Sequence, residues 1–532
     1  MIMWWSSRLS YGHVRTGRAG AGTMGRQRLT SLRRASDRPP GLPKIPSSVA
    51  GLDEILNGGL PEGRTTLVSG GPGTGKTMLG LEFLYRSALA GHAGILLLFE
   101  ERADAIRRNA LALGWNLSAL EEAGKLFILE ARLDRNAILS GDFTIAPLLA
   151  IVQGAARRIK AKRIVVDAID VLLRIYADPR RQQNELYGLH DWLTENGFTT
   201  VLTAKKSENQ ERISQYEFLD YMADCVIALD LRVLGQVTTR RLRVVKYRGS
   251  GFASNEYPYV IGDEGNVLMP ISTVALDHRA LGPWISTGNE ALDEVLCGGY
   301  RRSSSILITG ASGTGKTTLA CTFVKAACGR GEKVLYISFE ESDDAVVTAM
   351  LSPGIDLRPA VKAGTLEFQT VMPEAMGAEQ HLVRAFRQID KLQPDHIVVD
   401  AISACKRMGM EKAAFDYLMR LVDLCKCRGI TCLMTNQLEG FQPQSDFSGI
   451  GFSSLLDAII LLRYVELRRE IARSLLVLKS RGSEHSNKYH HFVITDDGIR
   501  ITSMPGATKV KSNVGRPSPA GSRADDRDRQ SK

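Results

Sequence analysis

The run Gly70-Gly71-Pro72-Gly73-Thr74-Gly75-Lys76-Thr77 fits the pattern Gly-x-x-x-x-Gly-Lys-Ser/Thr, and it restricts what can surround it. Its glycines let the backbone curl until several N–H groups converge on one anion, and a helix beginning there adds positive partial charge. The flanks match that use. An apolar strand-like run, Thr65 to Ser69, leads in, and Leu79, Phe83 and Leu84 follow at helical spacing. In such a loop Lys76 reaches the β- and γ-phosphates of a nucleotide, and Thr77 holds Mg²⁺. The pattern recurs as Gly310-Ala311-Ser312-Gly313-Thr314-Gly315-Lys316-Thr317, so Lys316 and Thr317 are expected to do the same.

The second loop belongs to a duplicated domain. Leu52-Asp53-Glu54-Ile55-Leu56-Asn57-Gly58-Gly59 returns 240 positions later as Leu292-Asp293-Glu294-Val295-Leu296-Cys297-Gly298-Gly299. The pair Glu100-Glu101 returns as Glu340-Glu341 at the same offset, whereas Asp167 and Asp400 are 233 apart. A period this long marks a repeated domain rather than a solenoid unit. In the first copy apolar runs at Thr65–Ser69, Gly94–Phe99, Leu126–Leu129, Arg163–Val166 and Thr199–Thr203 alternate with helical patterns. The expected fold class is therefore α/β, with a mainly parallel sheet. Each copy is expected to close with a β-hairpin, Cys225–Leu231 with Leu242–Lys246 and Ala458–Val465 with Ser474–Lys479. Four segments follow: a basic, disordered 1–44; a first domain, 45–275; a second, 276–506; and a basic, disordered tail, 507–532. Residues 270–283 read as the linker, and Met24 is an alternative start.

Charge argues about partners. The chain of 532 residues carries +10, but residues 1–44 hold nine Lys/Arg against one Asp, and 507–532 hold seven against three. The two ends thus supply +8 and +4, which leaves about −2 for everything between. A core of that balance is not a nucleic-acid-binding surface. The apolar runs are strand-sized, none long enough to span a membrane, and no secretory signal is evident, so a cytoplasmic location is expected. Cys425 and Cys427 are too closely spaced for an obvious zinc pair, and the eight cysteines read as reduced core thiols.

Asp167 and Asp400 each end an apolar strand, where an acid in a phosphate-loop protein holds Mg²⁺. Glu100, Glu101, Glu340 and Glu341 follow the strand after the loop helix, where a carboxylate orients or deprotonates an attacking water or hydroxyl. Lys246-Tyr247-Arg248-Gly249 and Lys479-Ser480-Arg481-Gly482 close the hairpins. Lys246 and Lys479 are expected to bind phosphate, and Arg248 and Arg481 to stabilise the transferring group on a neighbouring subunit.

Two tandem domains, each with a phosphate loop, Phe-Glu-Glu, strand-Asp and Lys-x-Arg-Gly, together resemble the KaiC family of bacterial clock ATPases and autokinases over about residues 45–505. The stretch Asp457-Ala458-Ile459-Ile460-Leu461-Leu462-Arg463-Tyr464-Val465-Glu466 is a close local match to the family's second domain. The resemblance implies two RecA-like ATPase domains with helices on both sheet faces, using ATP and Mg²⁺. It also implies a homohexamer of two stacked rings with ATP between subunits. The first ring would mainly hydrolyse ATP, and the second would also phosphorylate a hydroxyl pair on the adjacent subunit. That pair falls on Ser453 and Ser454, with Tyr221-Met222 at the matching place in the first copy, and Ser448 marks another hydroxyl position. Arg240 and Arg473 match nucleotide-contacting positions. The basic tail from Lys509 is unlike the family's, so signalling through other regulatory proteins is the expected role. The alternative is a RecA-type DNA-handling ATPase, and a third reading is a scaffold that binds ATP to assemble.

Overall fold

The computed structural model describes residues 42–131, 144–176, 178–205, 217–234, 237–262, 265–268, 278–409, 411–438, 453–467 and 470–504. Both termini, Met24 and Ser448 lie outside the described residues.

In the first repeat the central elements are β1 (Thr65–Gly70), α1 (Lys76–Leu89), β2 (Gly94–Leu98), β3 (Leu126–Glu130), β4 (Arg163–Asp167) and β5 (Thr199–Lys205). They are followed by β6 (Cys225–Leu234), β7 (Val237–Tyr247), β8 (Glu256–Gly262) and β9 (Gly265–Leu268). The second repeat runs β10 (Ser305–Gly310), α2 (Lys316–Gly329), β11 (Val334–Ser338), β12 (Leu366–Thr370), α3 (Ala378–Leu392), β13 (His396–Asp400), α4 (Glu411–Arg428) and β14 (Thr431–Gln437). It closes with β15 (Ala458–Leu467), β16 (Glu470–Ser480), β17 (His490–Thr495) and β18 (Gly498–Ser503). Among the described residues each repeat forms one nine-stranded sheet, ordered β9-β8-β7-β6-β1-β5-β4-β2-β3 and β18-β17-β16-β15-β10-β14-β13-β11-β12. The two orders are the same. Strands β1 to β6 and β10 to β15 are parallel, and the rest of each sheet is antiparallel.

Alternation along the central strands explains why helices cover both faces. Ile306 and Ile308 turn to a cluster with Leu319 and Phe323 of α2, while Leu307 turns to one with Leu418 and Leu421 of α4. Val68 packs with Leu79 and Phe83 of α1, and Leu67 with the opposite cluster containing Leu186 and Leu189. Strands buried on both sides read as continuous apolar runs, and that is how the sequence exposed them.

The antiparallel end is larger than the single hairpin expected. β8–β9 and β17–β18 add a second pair to each sheet. Val260 of β8 also joins the core cluster that contains Ala378 and Leu382 of α3, and Arg241 pairs with Glu379 at 2.9 Å. The two repeats therefore share apolar and ionic contacts. The expectation of eight core thiols also needs correction. Cys297 is exposed, and Cys328 and Cys427 are only partly buried, because they lie on helix ends and turns rather than on central strands.

The repeated Leu-Asp-Glu motif is a structural clasp. Asp53 accepts from the Ser47 and Ser48 amides at 2.7 and 3.2 Å, and Asp293 accepts from the Thr287 amide at 2.8 Å. The glycines that follow have positive φ, +119° at Gly59 and +96° at Gly299. A Cβ there would stand 2.1 Å from the Ile45 carbonyl oxygen and 2.3 Å from that of Ile285. Replacing Gly299 by Ala is expected to cost about 1–3 kcal/mol through strain and close contact. Urea denaturation monitored within the second repeat should show a lowered midpoint, and an unchanged midpoint would contradict the clasp.

Candidate functional site

Each loop begins where the central parallel strand ends. A Cβ at Gly70 would meet the Leu229 carbonyl oxygen and Thr74 Oγ1, both at 2.7 Å, and one at Gly310 would meet the Leu462 carbonyl oxygen at 2.3 Å. Only glycine fits so close to the neighbouring strand. Gly73, Gly75, Gly313 and Gly315 then take positive φ, from +70° to +98°. The turn is braced by Thr74 Oγ1 donating to the Gly71 carbonyl and Thr314 Oγ1 to that of Ala311, both at 2.8 Å. Gly75 and Gly315 cap α1 and α2. A glycine cap brings no side-chain acceptor, so the first-turn N–H groups remain directed into the loop.

Lys76 Nζ donates to the Gly71 carbonyl at 2.8 Å, and Lys316 Nζ to that of Ala311 at 2.9 Å, so both amines curl back over their own loops. Burial pulls both below the usual lysine range. The charge of Asp167 opposes this at Lys76, as Asp400 and then Glu340 do at Lys316. Thr77 Oγ1 donates to both carboxylate oxygens of Asp167, at 3.1 and 3.0 Å, and Thr317 Oγ1 donates to Asp400 at 2.9 Å. The strand-end acids and loop hydroxyls, 90 and 83 residues apart in sequence, are thus brought together. A hydroxyl and a carboxylate form a hard-oxygen donor set, which fits Mg²⁺ rather than a soft metal.

Glu101 and Glu341 are raised above the ordinary glutamate range, first by burial, then by Asp167 and Asp400, and then by Glu100 and Glu340. Glu101 and Glu341 therefore lie within electrostatic reach of the strand-end acids. In the second repeat Ser338 Oγ donates to the Glu341 carbonyl at 2.6 Å and accepts from its amide at 3.2 Å, a brace that Leu98 cannot provide in the first.

Several contributors carried no sequence signal. Thr203 donates to Asp167 at 2.5 Å, and Thr435 donates to Asp400. Tyr336 donates to Asp400 at 2.6 Å, where the first repeat has Leu96. Each sits inside an apolar strand, where only the register reveals it. Arg240 and Arg473 approach their own loops, donating to the Gly73 and Gly313 carbonyls at 3.2 Å.

The Lys-x-Arg residues lie elsewhere. Along β10 and β15, Ile306 pairs with Ala458 and Gly310 with Leu462, so the loop lies at the Leu462 end. Lys479 pairs with Ile459 and Ser480 with Ala458, at the other end. Lys246 pairs with Val226, while Gly70 pairs with Leu229. At about 3.3 Å per residue, Arg481 stands roughly 17 Å along the sheet from its own loop. There Lys479 Nζ donates to the Ser453 carbonyl at 3.2 Å, and Arg481 to that of Ser454 at 3.3 Å. In the first repeat Lys246 reaches the Asp220 and Tyr221 carbonyls at 2.7 and 3.0 Å, and Arg248 reaches Tyr221 at 2.6 Å. These contacts correct the matching of the copies by one position: Asp220 stands where Ser453 does, and Tyr221 where Ser454 does. Burial lowers Lys246 and Lys479 first, and the adjacent Arg248 and Arg481 lower them further.

The family model "ATPase: KaiC" matches residues 45–273 and again 285–505. The chain belongs to the KaiC ATPase family. Among curated relatives, the circadian clock protein KaiC2 of Synechocystis sp. (strain PCC 6803) is 37% identical over 462 residues, covering 86% of this chain and 81% of that protein. The circadian clock oscillator protein KaiC of Parathermosynechococcus lividus is 35% identical, covering 87% and 86%. That of Synechococcus elongatus (strain PCC 7942) is 34% identical, covering 86% and 89%. Among the described residues no helix is long and apolar enough to cross a membrane.

Burial is the main cause that raises Asp167 above the ordinary aspartate range, against the hydrogen bonds from Thr203 and Thr77 and the charge of Lys76. A folded pKa above the unfolded one means that ionisation costs stability as pH rises through the interval between them. In Mg²⁺-free protein, Asp167→Asn should therefore unfold at a higher temperature than wild type near neutral pH. The gain should shrink as pH falls into the ordinary carboxylate range. A calorimetric series across pH checks this, and a loss of stability at neutral pH would contradict the stated cause.

Proposed function

We propose that this KaiC-family ATPase assembles so that the Lys-x-Arg end of one subunit completes the phosphate-loop end of the next. In the second repeat, we infer, the same junction transfers phosphate to Ser453 or Ser454. The observation that carries this reading is the placement of the clamp and the hydroxyl pair together, at the sheet end remote from their own loop. An arginine there serves phosphate chemistry when a neighbouring loop comes to it, which is the logic of a finger supplied in trans. The family resemblance supports a homohexamer with ATP between subunits.

In each repeat the loop glycines and Thr74 or Thr314 would cradle the phosphates, with Lys76 or Lys316 on the β- and γ-phosphates. Thr77 with Asp167, and Thr317 with Asp400, would hold Mg²⁺, which neutralises phosphate charge. Glu100 and Glu101, or Glu340 and Glu341, would take the proton of the attacking water. With serine as the attacker, an O–P bond forms while the β–γ phosphoanhydride bond breaks. ADP leaves, and the hydroxyl proton passes to a carboxylate of the Glu340-Glu341 pair. Ser454 is exposed and Ser453 half-buried, so Ser454 is the more accessible acceptor. The first repeat has no hydroxyl acceptor at Asp220 or an aliphatic one at Tyr221, which fits hydrolysis there. Phosphate would place close to two negative charges beside Lys479 and Arg481, which suits a signalling or clock-type regulator. No observation favours DNA handling.

Peptide mass spectrometry after incubation with ATP and Mg²⁺ should find phosphate on Ser453 or Ser454 in wild type. It should be absent from Glu340→Gln and lost at the substituted position in Ser453→Ala or Ser454→Ala. ATP hydrolysis without any phosphoserine there would reduce the function to ATPase alone. Arg481→Ala should slow turnover in the second repeat by about 10³-fold. Mixing it with Lys316→Ala should restore part of that rate, since one intact loop then meets one intact clamp. If mixing restores nothing while both variants co-assemble, completion in trans is wrong.

A further inference from the structure

The last turn of α4 and the chain entering the second repeat bring together a group that the ATPase chemistry does not use. His278 Nε2 lies 2.7 Å from Asp423 Oδ1, and Cys427 stands one helical turn beyond Asp423. The donor atoms of the three residues lie within 4.8 Å of one another, and among the described residues no other such group of histidine, cysteine and carboxylate occurs. Spacing i,i+4 puts Asp423 and Cys427 on one helix face. The Arg279 amide donates to the Lys426 carbonyl at 3.2 Å, which seats the incoming chain, and His278 with it, on that turn. The two cations of the turn are engaged elsewhere: Lys426 pairs with Asp457 at 3.0 Å and Arg428 with Asp390 at 2.5 Å.

We propose that His278, Asp423 and Cys427 form a Zn²⁺ site that clasps the inter-repeat chain to α4. Imidazole nitrogen, thiolate sulfur and carboxylate oxygen are the donors that zinc takes, and the softness of sulfur excludes Mg²⁺ and Ca²⁺. Metal–ligand bonds of about 2.0–2.3 Å set tetrahedral donors roughly 3.3–3.7 Å apart, so zinc would part the 2.7 Å contact between His278 and Asp423 and hold the Cys427 sulfur, within 4.8 Å of both, at a similar distance. His278 is exposed at the surface. Binding replaces the hydrogen bond between His278 and Asp423 by two bonds to the metal: the Nε2 proton is released to solvent, a neutral ring taking one up at Nδ1 in its place, and the Cys427 thiol proton goes to solvent as well. Water completes a tetrahedron. The His278–Asp423 contact by itself is a partly exposed pair, worth little to the fold.

Co²⁺ titration of the full-length, nucleotide-free protein in excess Mg²⁺ tests this, because only a thiolate ligand gives a sulfur-to-cobalt charge-transfer band. The expected result is one Co²⁺ per chain with that band and with the visible bands of tetrahedral cobalt, all abolished by added Zn²⁺. Cys427→Ser should remove the charge-transfer band, and His278→Ala and Asp423→Asn should each weaken binding tenfold or more. Cys297→Ser, which alters an exposed cysteine elsewhere, should change nothing. ATP hydrolysis should persist in every variant and so report that each is folded. The proposal is overturned if wild type shows no band, if the band survives Cys427→Ser, or if His278→Ala and Asp423→Asn bind as tightly as wild type.

Discussion

Everything at the site depends on how closely the central strand approaches its neighbour as it ends. The carbonyls of Leu229 and Leu462 occupy the space that a side chain at Gly70 or Gly310 would need. That contact fixes where the chain must turn, and so where the following helix begins. Lys76 and Thr77, or Lys316 and Thr317, then fall on the first turn of that helix, opposite the acid at the end of the next strand but one. Burial of the strands on both faces makes the position rigid, because a shift in register would move apolar side chains from one cluster to the other.

The copies share this frame but not its details. Asp400 accepts from Tyr336 and Thr435 as well as Thr317, whereas Asp167 accepts from Thr203 and Thr77. Ser338 braces the acidic turn of the second repeat alone. At the far end of the sheet, Asp457 of the second repeat receives the Ser305 amide and hydroxyl, both at 2.9 Å, as well as Lys426 and Arg481. Its counterpart Asp224 pairs with Arg64 at 3.2 Å. The second repeat therefore braces both ends of its sheet with groups that the first repeat lacks.

The phosphate loops, the parallel strands and the first hairpins were legible because glycine patterns and doubly buried apolar runs leave plain marks. Strands β8 and β17 were not. Pro258 interrupts one, and His490 and His491 open the other with polar residues, so neither reads as a buried strand. The hydroxyls of Thr203, Tyr336 and Thr435 were hidden for a different reason. A threonine or tyrosine within an apolar strand has no motif, and only the pairing register shows that it faces an acid. The one-position error at Ser453 arose because two copies of unequal length can be matched only by contacts, here those of Lys246 and Lys479. His278 and Asp423 are 145 positions apart, beyond any local pattern.

The opposite placement of loop and clamp on one sheet has a consequence for how such a protein is governed. If each nucleotide must be touched by two chains, a solitary chain is inert whatever the ATP supply. Activity then depends on how much protein is present, and dilution becomes an off-switch sharper than loss of nucleotide. A cell could set the output through synthesis and degradation, with no inhibitor at all.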